Sequence, residues 1–116
     1  MGVVQMNKQK YKLRFFIEWG GGFLWSDSFD AVTVDRFGVG PLKPENLNIS
    51  KELCDELHSL EKEYQTSMNW ESPLDPSPWS EDQFKDFYTR LKVAYQKLCG
   101  ELNNSYDIAF CMDEDR

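Results

Sequence analysis

Tyr11 to Trp19 read YKLRFFIEW, with Tyr11, Leu13, Phe15, Ile17 and Trp19 on one side and Lys12, Arg14 and Glu18 on the other. Period-2 alternation of this kind is the signature of a half-buried strand, and only Phe16 breaks it. Gly20-Gly21-Gly22 follows, then the apolar run Phe23-Leu24-Trp25. Glycine tolerates the positive φ that tight bends need, so the stretch predicts a β-hairpin.

Working outward, two helices are written into the second half of the chain. Ser50 is an N-cap candidate ahead of a stripe of Leu53, Leu57, Leu60 and Tyr64 at helical spacing. Ser80 and Gln83 form a capping box, with Trp79 and Phe84 at the two positions of a hydrophobic staple. Phe84, Phe87, Tyr88, Leu91, Ala94, Tyr95, Leu98 and Leu102 then give the second helix a broad apolar face. Between the helices runs NWESPLDPSPW, residues 69–79, whose three prolines exclude regular structure. Tyr106 to Met112 reads as a last strand. Residues 28–34 leave two readings open. One or two helical turns, capped by Asp27 or Ser28 and stopped at Gly38, are favoured, while the β-branched residues argue for a strand.

The order β-β-(short element)-α-α-β predicts an α+β two-layer sandwich. The N-terminal hairpin and the C-terminal strand would form a small, antiparallel-rich sheet packed by two amphipathic helices. With 116 residues, residues 11–112 make one domain between a polar tail (1–10) and an acidic tail (113–116).

Twenty Asp and Glu against thirteen Lys and Arg leave a net charge of −7. Such a field repels phosphate backbones and anionic lipid, which argues against direct nucleic-acid or membrane binding and favours a basic partner. From Trp25 to Asp82 thirteen acids face four bases. Three dispersed cysteines do not suggest a disulfide scaffold, and no signal peptide or apolar span is written, so a cytoplasmic protein is expected.

Chemistry is sparse. The triple glycine is not GxGxxG and no GK[ST] follows, so it reads as a turn. Cys54 and His58 stand four apart on a helix, a spacing that can put two ligands on one metal, and Cys99 could approach them. With one histidine and scattered cysteines the usual zinc sets are not filled, so no metal, cofactor or catalytic residue is expected. Rigid aromatics beside acids suit protein recognition instead. On that ground Trp25, Asp27, Asp30, Trp70, Glu71 and Asp75 are the candidate contact residues, although Trp70 could equally serve the core.

RFFIEWGGGFLWS (14–26), NISKEL (48–53) and TSMNWESPLDPSPWS (66–80) with the following helix resemble a small bacterial family sharing an RFFxEWG-type strand, an LWS hairpin arm and a PSPWS loop. These acidic domains resemble the immunity proteins of polymorphic-toxin and contact-dependent growth-inhibition systems. The resemblance implies a non-catalytic, cytoplasmic antitoxin that neutralises one cognate toxin, often a nuclease with a basic cleft; the oligomeric state is left open, with a monomer favoured. A regulatory or assembly module for another partner, and a small enzyme or metal-binding domain, are the competing readings.

Overall fold

Residues 10–17, 22–102 and 105–111 are described by the computed structural model. Strand β1 (Tyr11–Phe15) pairs antiparallel with β2 (Leu24–Ser26), which bring Phe15 opposite Leu24. Helix α1 (Ala31–Phe37) follows, then a two-residue strand β3 (Pro41–Leu42) and a 3-10 turn at Pro44–Asn46. Helices α2 (Lys51–Gln65) and α3 (Glu81–Leu102) lead to β4 (Tyr106–Phe110). The sheet order is β3-β2-β1-β4, and β4 runs parallel to β1.

The α+β expectation, with hairpin and last strand in one sheet, is borne out. Three details differ. The β1–β4 pair is parallel, making the sheet mixed. The short β3 adds a fourth strand through Leu24↔Leu42 and Trp25↔Pro41. The short element is a helix, as favoured, and it stops at Gly38 (φ 79), but its cap is Asp30 rather than Asp27 or Ser28. Asp30 holds extended backbone dihedrals and accepts from Thr33 N, while Asp27 is engaged one turn earlier by Phe29 N. The expectations for Glu18, Trp19, Gly20, Gly21, Asn103, Asn104, Met112 and both tails lie outside the described residues.

One face of the sheet carries the core. Leu13, Phe15, Leu24, Leu42 and Ile108 join Leu53, Leu57, Leu60 and Tyr64 of α2 and Phe87, Leu91, Ala94 and Leu98 of α3 in a single buried cluster. Phe15 sits at its centre, with ring centroids 5.4 Å from Phe23, 5.4 Å from Tyr95 and 5.8 Å from Phe110. Polar links fix α2 against α3 along their seam. Ser50 is bonded by Glu101, Glu56 pairs with Lys97 at 3.1 Å, and Arg90 grips Glu63. Because those partners run in opposite sequence order, the two helices are antiparallel.

The start of α3 is built as its sequence predicts. Gln83 N donates to Ser80 Oγ at 3.2 Å, Ser80 N donates to Gln83 Oε1 at 2.7 Å, and the Trp79 and Phe84 rings meet at 5.1 Å. Ser80→Ala is therefore expected to cost about 1 kcal/mol, the usual value for losing an N-cap, read as a lowered urea midpoint with unchanged slope.

Candidate functional site

The candidate contact residues fall into two groups on different elements. The first surrounds the sheet face turned away from the helices. Register places Trp25, Arg14 and Ala109 side by side there, with Lys12 beside Asp107. Trp25 stacks on Phe16 (centroids 4.9 Å apart, 14° between planes), and its Nε1 donates to Gly22 O at 3.1 Å. Phe16, the residue that broke the alternation, thus belongs to this outer face. A shallow groove of about 380 Å³ crosses the face between Lys12, Arg14, Asp27, Phe29, Asp107 and Ala109.

The turn from β2 into α1 forms one side of that groove. Asp27 Oδ1 accepts from Phe29 N at 3.0 Å, and Asp30 accepts from both Thr33 N and Thr33 Oγ1. The Thr33 hydroxyl, with its backbone N–H and Lys12 beyond it, holds the Asp30 carboxyl below its ordinary range. Asp30 is thus engaged in holding the turn. Phe29 precedes the cap, where a hydrophobic staple would pack it onto Val34, yet its ring is 95% exposed. The sequence reading missed Phe29. Its signal was an aromatic between two turn-forming aspartates, in a segment whose helix start was placed too early.

The second group lies on the connection between α2 and α3. Trp70 is 56% exposed, and its Nε1 donates to Gln65 O at 2.7 Å, meeting a carbonyl at the end of α2. Glu71 and Asp75 are exposed, and Leu74 between them is fully so. Trp79 belongs to the core side instead. Its ring lies against Tyr64, Phe84 and Phe87, and its Nε1 donates to Thr66 Oγ1. Of the two tryptophans bracketing the loop, Trp70 is the one presented to solvent. Among the described residues no hydrogen bond, ion pair or ring contact joins this group to the first.

A third cluster carries ligand chemistry. Glu45 on the 3-10 turn reaches His58 Nε2 at 2.8 Å, and Cys54 completes a triad whose ligand atoms lie within 4.8 Å of one another. Glu61 Oε1 stands 3.7 Å from His58 Nδ1. Burial, first of all, pushes the Cys54 thiol up, and the neighbouring carboxylates of Glu45, Asp55 and Glu61 add to it. Burial also raises the Glu61 carboxyl. Cys54 and His58 do share a helical face, but the residue that joins them is Glu45 and not Cys99, which packs on the core beside Tyr95.

Among the described residues no helix is long and apolar enough to cross a membrane. No curated protein matches the chain. A family model does, the one described as Serratia CdiI immunity protein-like, and it spans residues 12–113, from β1 past β4. That span takes in all three stretches on which the resemblance to immunity proteins was read. The chain belongs to the Serratia CdiI immunity protein-like family.

Proposed function

We propose that the protein is the immunity protein of a contact-dependent growth-inhibition toxin and that it acts without chemistry of its own, as a monomeric cytoplasmic ligand of a basic, nuclease-type toxin domain. Family membership is the observation that carries this reading. The net charge of −7 supports a basic partner, since opposite fields speed encounter and set orientation. Blocking a nuclease asks only for complementarity over a standard interface, roughly 800 Å² on each side.

The proposed contact residues are Trp25, Asp27, Asp30, Trp70, Glu71 and Asp75. Trp25 and Trp70 contribute rigid apolar area, and Asp27, Glu71 and Asp75 contribute charge. Asp30 acts through the turn it caps, which presents Phe29 beside Asp27.

The test is binding to the C-terminal domain encoded by the gene immediately upstream. Association is expected to slow steeply as salt rises, because a Debye length shrinks from roughly 10 Å at 0.1 M to about 3 Å at 1 M. Asp27→Lys, and separately Glu71→Lys with Asp75→Lys, should each lower the association rate about tenfold with the fold intact. Asp30 is left out because its reversal would remove the cap of α1. Binding that ignores both salt and these reversals would show that the acidic groups do not guide the encounter. Failure to bind the upstream domain at all would leave the regulatory-module reading in possession.

A further inference from the structure

His58 sits between two carboxylates, with Glu45 Oε2 2.8 Å from its Nε2 and Glu61 Oε1 3.7 Å from its Nδ1. Cys54 lies one helical turn before it, and its sulfur, an imidazole nitrogen and a Glu45 oxygen all fall within 4.8 Å of one another. We propose that Glu45, Cys54 and His58 form a three-ligand site for a borderline transition-metal dication, Zn(II) above all, with Glu61 as the outer carboxylate that orients the imidazole.

The donor set selects the metal class. Thiolate, imidazole and carboxylate together suit Zn(II), whereas Ca(II) and Mg(II) take oxygen ligands. Three protein ligands leave the fourth tetrahedral position to water. Ordinary zinc bond lengths at tetrahedral angles put ligand atoms about 3.3 to 3.6 Å apart. The His58–Glu45 contact is already shorter than that, so a metal entering between Nε2 and Oε2 would displace a shared proton and open the pair slightly. With all three ligand atoms within 4.8 Å of one another, no pair needs to close by more than about 1.2 Å. Glu45 is exposed and Cys54 only partly buried, so rotation of both side chains is the route to that closure.

The supports of the site are built in. Pro44 is buried at the start of the 3-10 turn and Leu47 joins the core just after it, which holds Glu45 against α2. Metal-bound histidines commonly donate their second ring N–H to a carboxylate, and Glu61 Oε1, 3.7 Å from His58 Nδ1, reaches that position with a shift of about 0.7 Å. Glu61 is anchored in turn by the Phe23 backbone N–H. It passes so close to Gly22 that a Cβ there would meet its Oε2 at 2.8 Å. The carboxylates of Glu45 and Glu61 on either side of His58 are charge that a dication would neutralise, and a coordinated thiol would lose its proton on binding. The sequence expectation of no metal counted histidine and cysteine alone, and Glu45 was not weighed.

The inference stands apart from toxin recognition and is tested on the full chain by itself with ZnCl₂ and CoCl₂. Calorimetry should give one Zn(II) per chain. Co(II) should produce a thiolate charge-transfer band together with the strong visible bands of tetrahedral cobalt. Cys54→Ser should abolish the charge-transfer band and weaken binding more than about tenfold, with losses also for His58→Ala and Glu45→Gln. Glu61→Ala should weaken binding about tenfold while keeping the cobalt spectrum. Circular dichroism and urea midpoints check that each variant is folded. Cys99→Ser and Cys111→Ser should leave binding unchanged. The site is refuted by an absence of saturable binding below about 1 mM, by a thiolate band that survives Cys54→Ser, or by one lost in either control.

Discussion

Truncating Phe15 to alanine is expected to remove about 4 kcal/mol of stability, the range for emptying a buried aromatic site. The ring is fully buried and stacked on Phe23 and Phe110, with Tyr95 against it, so its loss leaves a void bounded by three large rings. Those neighbours are themselves large and mutually packed, which limits how far they can collapse inward. A domain of this size holds only about 5–15 kcal/mol in all, so the variant should lie near the edge of folding. With a slope of about 2 kcal/mol per molar urea, the midpoint should fall by about 2 M. Phe29→Ala provides the contrast. Its ring is almost wholly in water, so stability should move by no more than about 0.5 kcal/mol. A midpoint shift below about 0.5 M for Phe15→Ala would mean that the core is not centred on β1.

The second large effect concerns the toxin. Trp70→Ala should speed dissociation about thirtyfold, equivalent to about 2 kcal/mol, because truncating an aromatic anchor acts mainly on the off-rate. Sequence allowed Trp70 to be either an anchor or a core residue, and its 56% exposure makes it available for the first role. The urea midpoint of this variant should therefore stay close to that of the parent. Surface plasmon resonance on the upstream toxin domain gives the rate. An unchanged off-rate would remove the α2–α3 connection from the interface, and a large drop in the midpoint would return Trp70 to the core.

Local chemistry was the legible part of the fold. The alternation at β1, the Ser50 cap and the Ser80–Gln83 box each depend on residues within a few positions of one another, and each is found where the pattern puts it. Two features of the sheet were not legible, for physical reasons. Side-chain alternation is the same for parallel and antiparallel partners, so it could not announce that β4 runs with β1. Strand β3 has two residues, one of them proline, and exists because Trp25 and Leu24 pair with it rather than through any periodicity. The cap of α1 was misplaced because Asp27, Ser28 and Asp30 are all good caps, and the Thr33 hydroxyl decides among them.

At the candidate site the outcome divides in the same way. Composition pointed to acids and tryptophans but could not tell which were already engaged. Asp30 is occupied as a cap and Trp79 by the core, whereas Trp70 and Phe29 stand in water. The Glu45–His58 contact joins residues thirteen apart across a turn that packing alone brings onto α2.

The parallel pairing of β1 with β4 also bears on how the protein is made. Tyr11–Phe15 emerge from the ribosome early, while their neighbours at Tyr106–Phe110 and Tyr95 emerge late. Until then Phe15 has no ring from the far end of the chain to rest on, and one edge of β1 offers unpaired N–H and C=O groups. A nascent chain in this state is exposed to wrong strand partners, and pairing across so long a loop forms slowly. Protection against a toxin can therefore begin only after residues 106–110 have left the ribosome and found β1. A chain cut short before them would be an aggregation hazard rather than a weaker inhibitor.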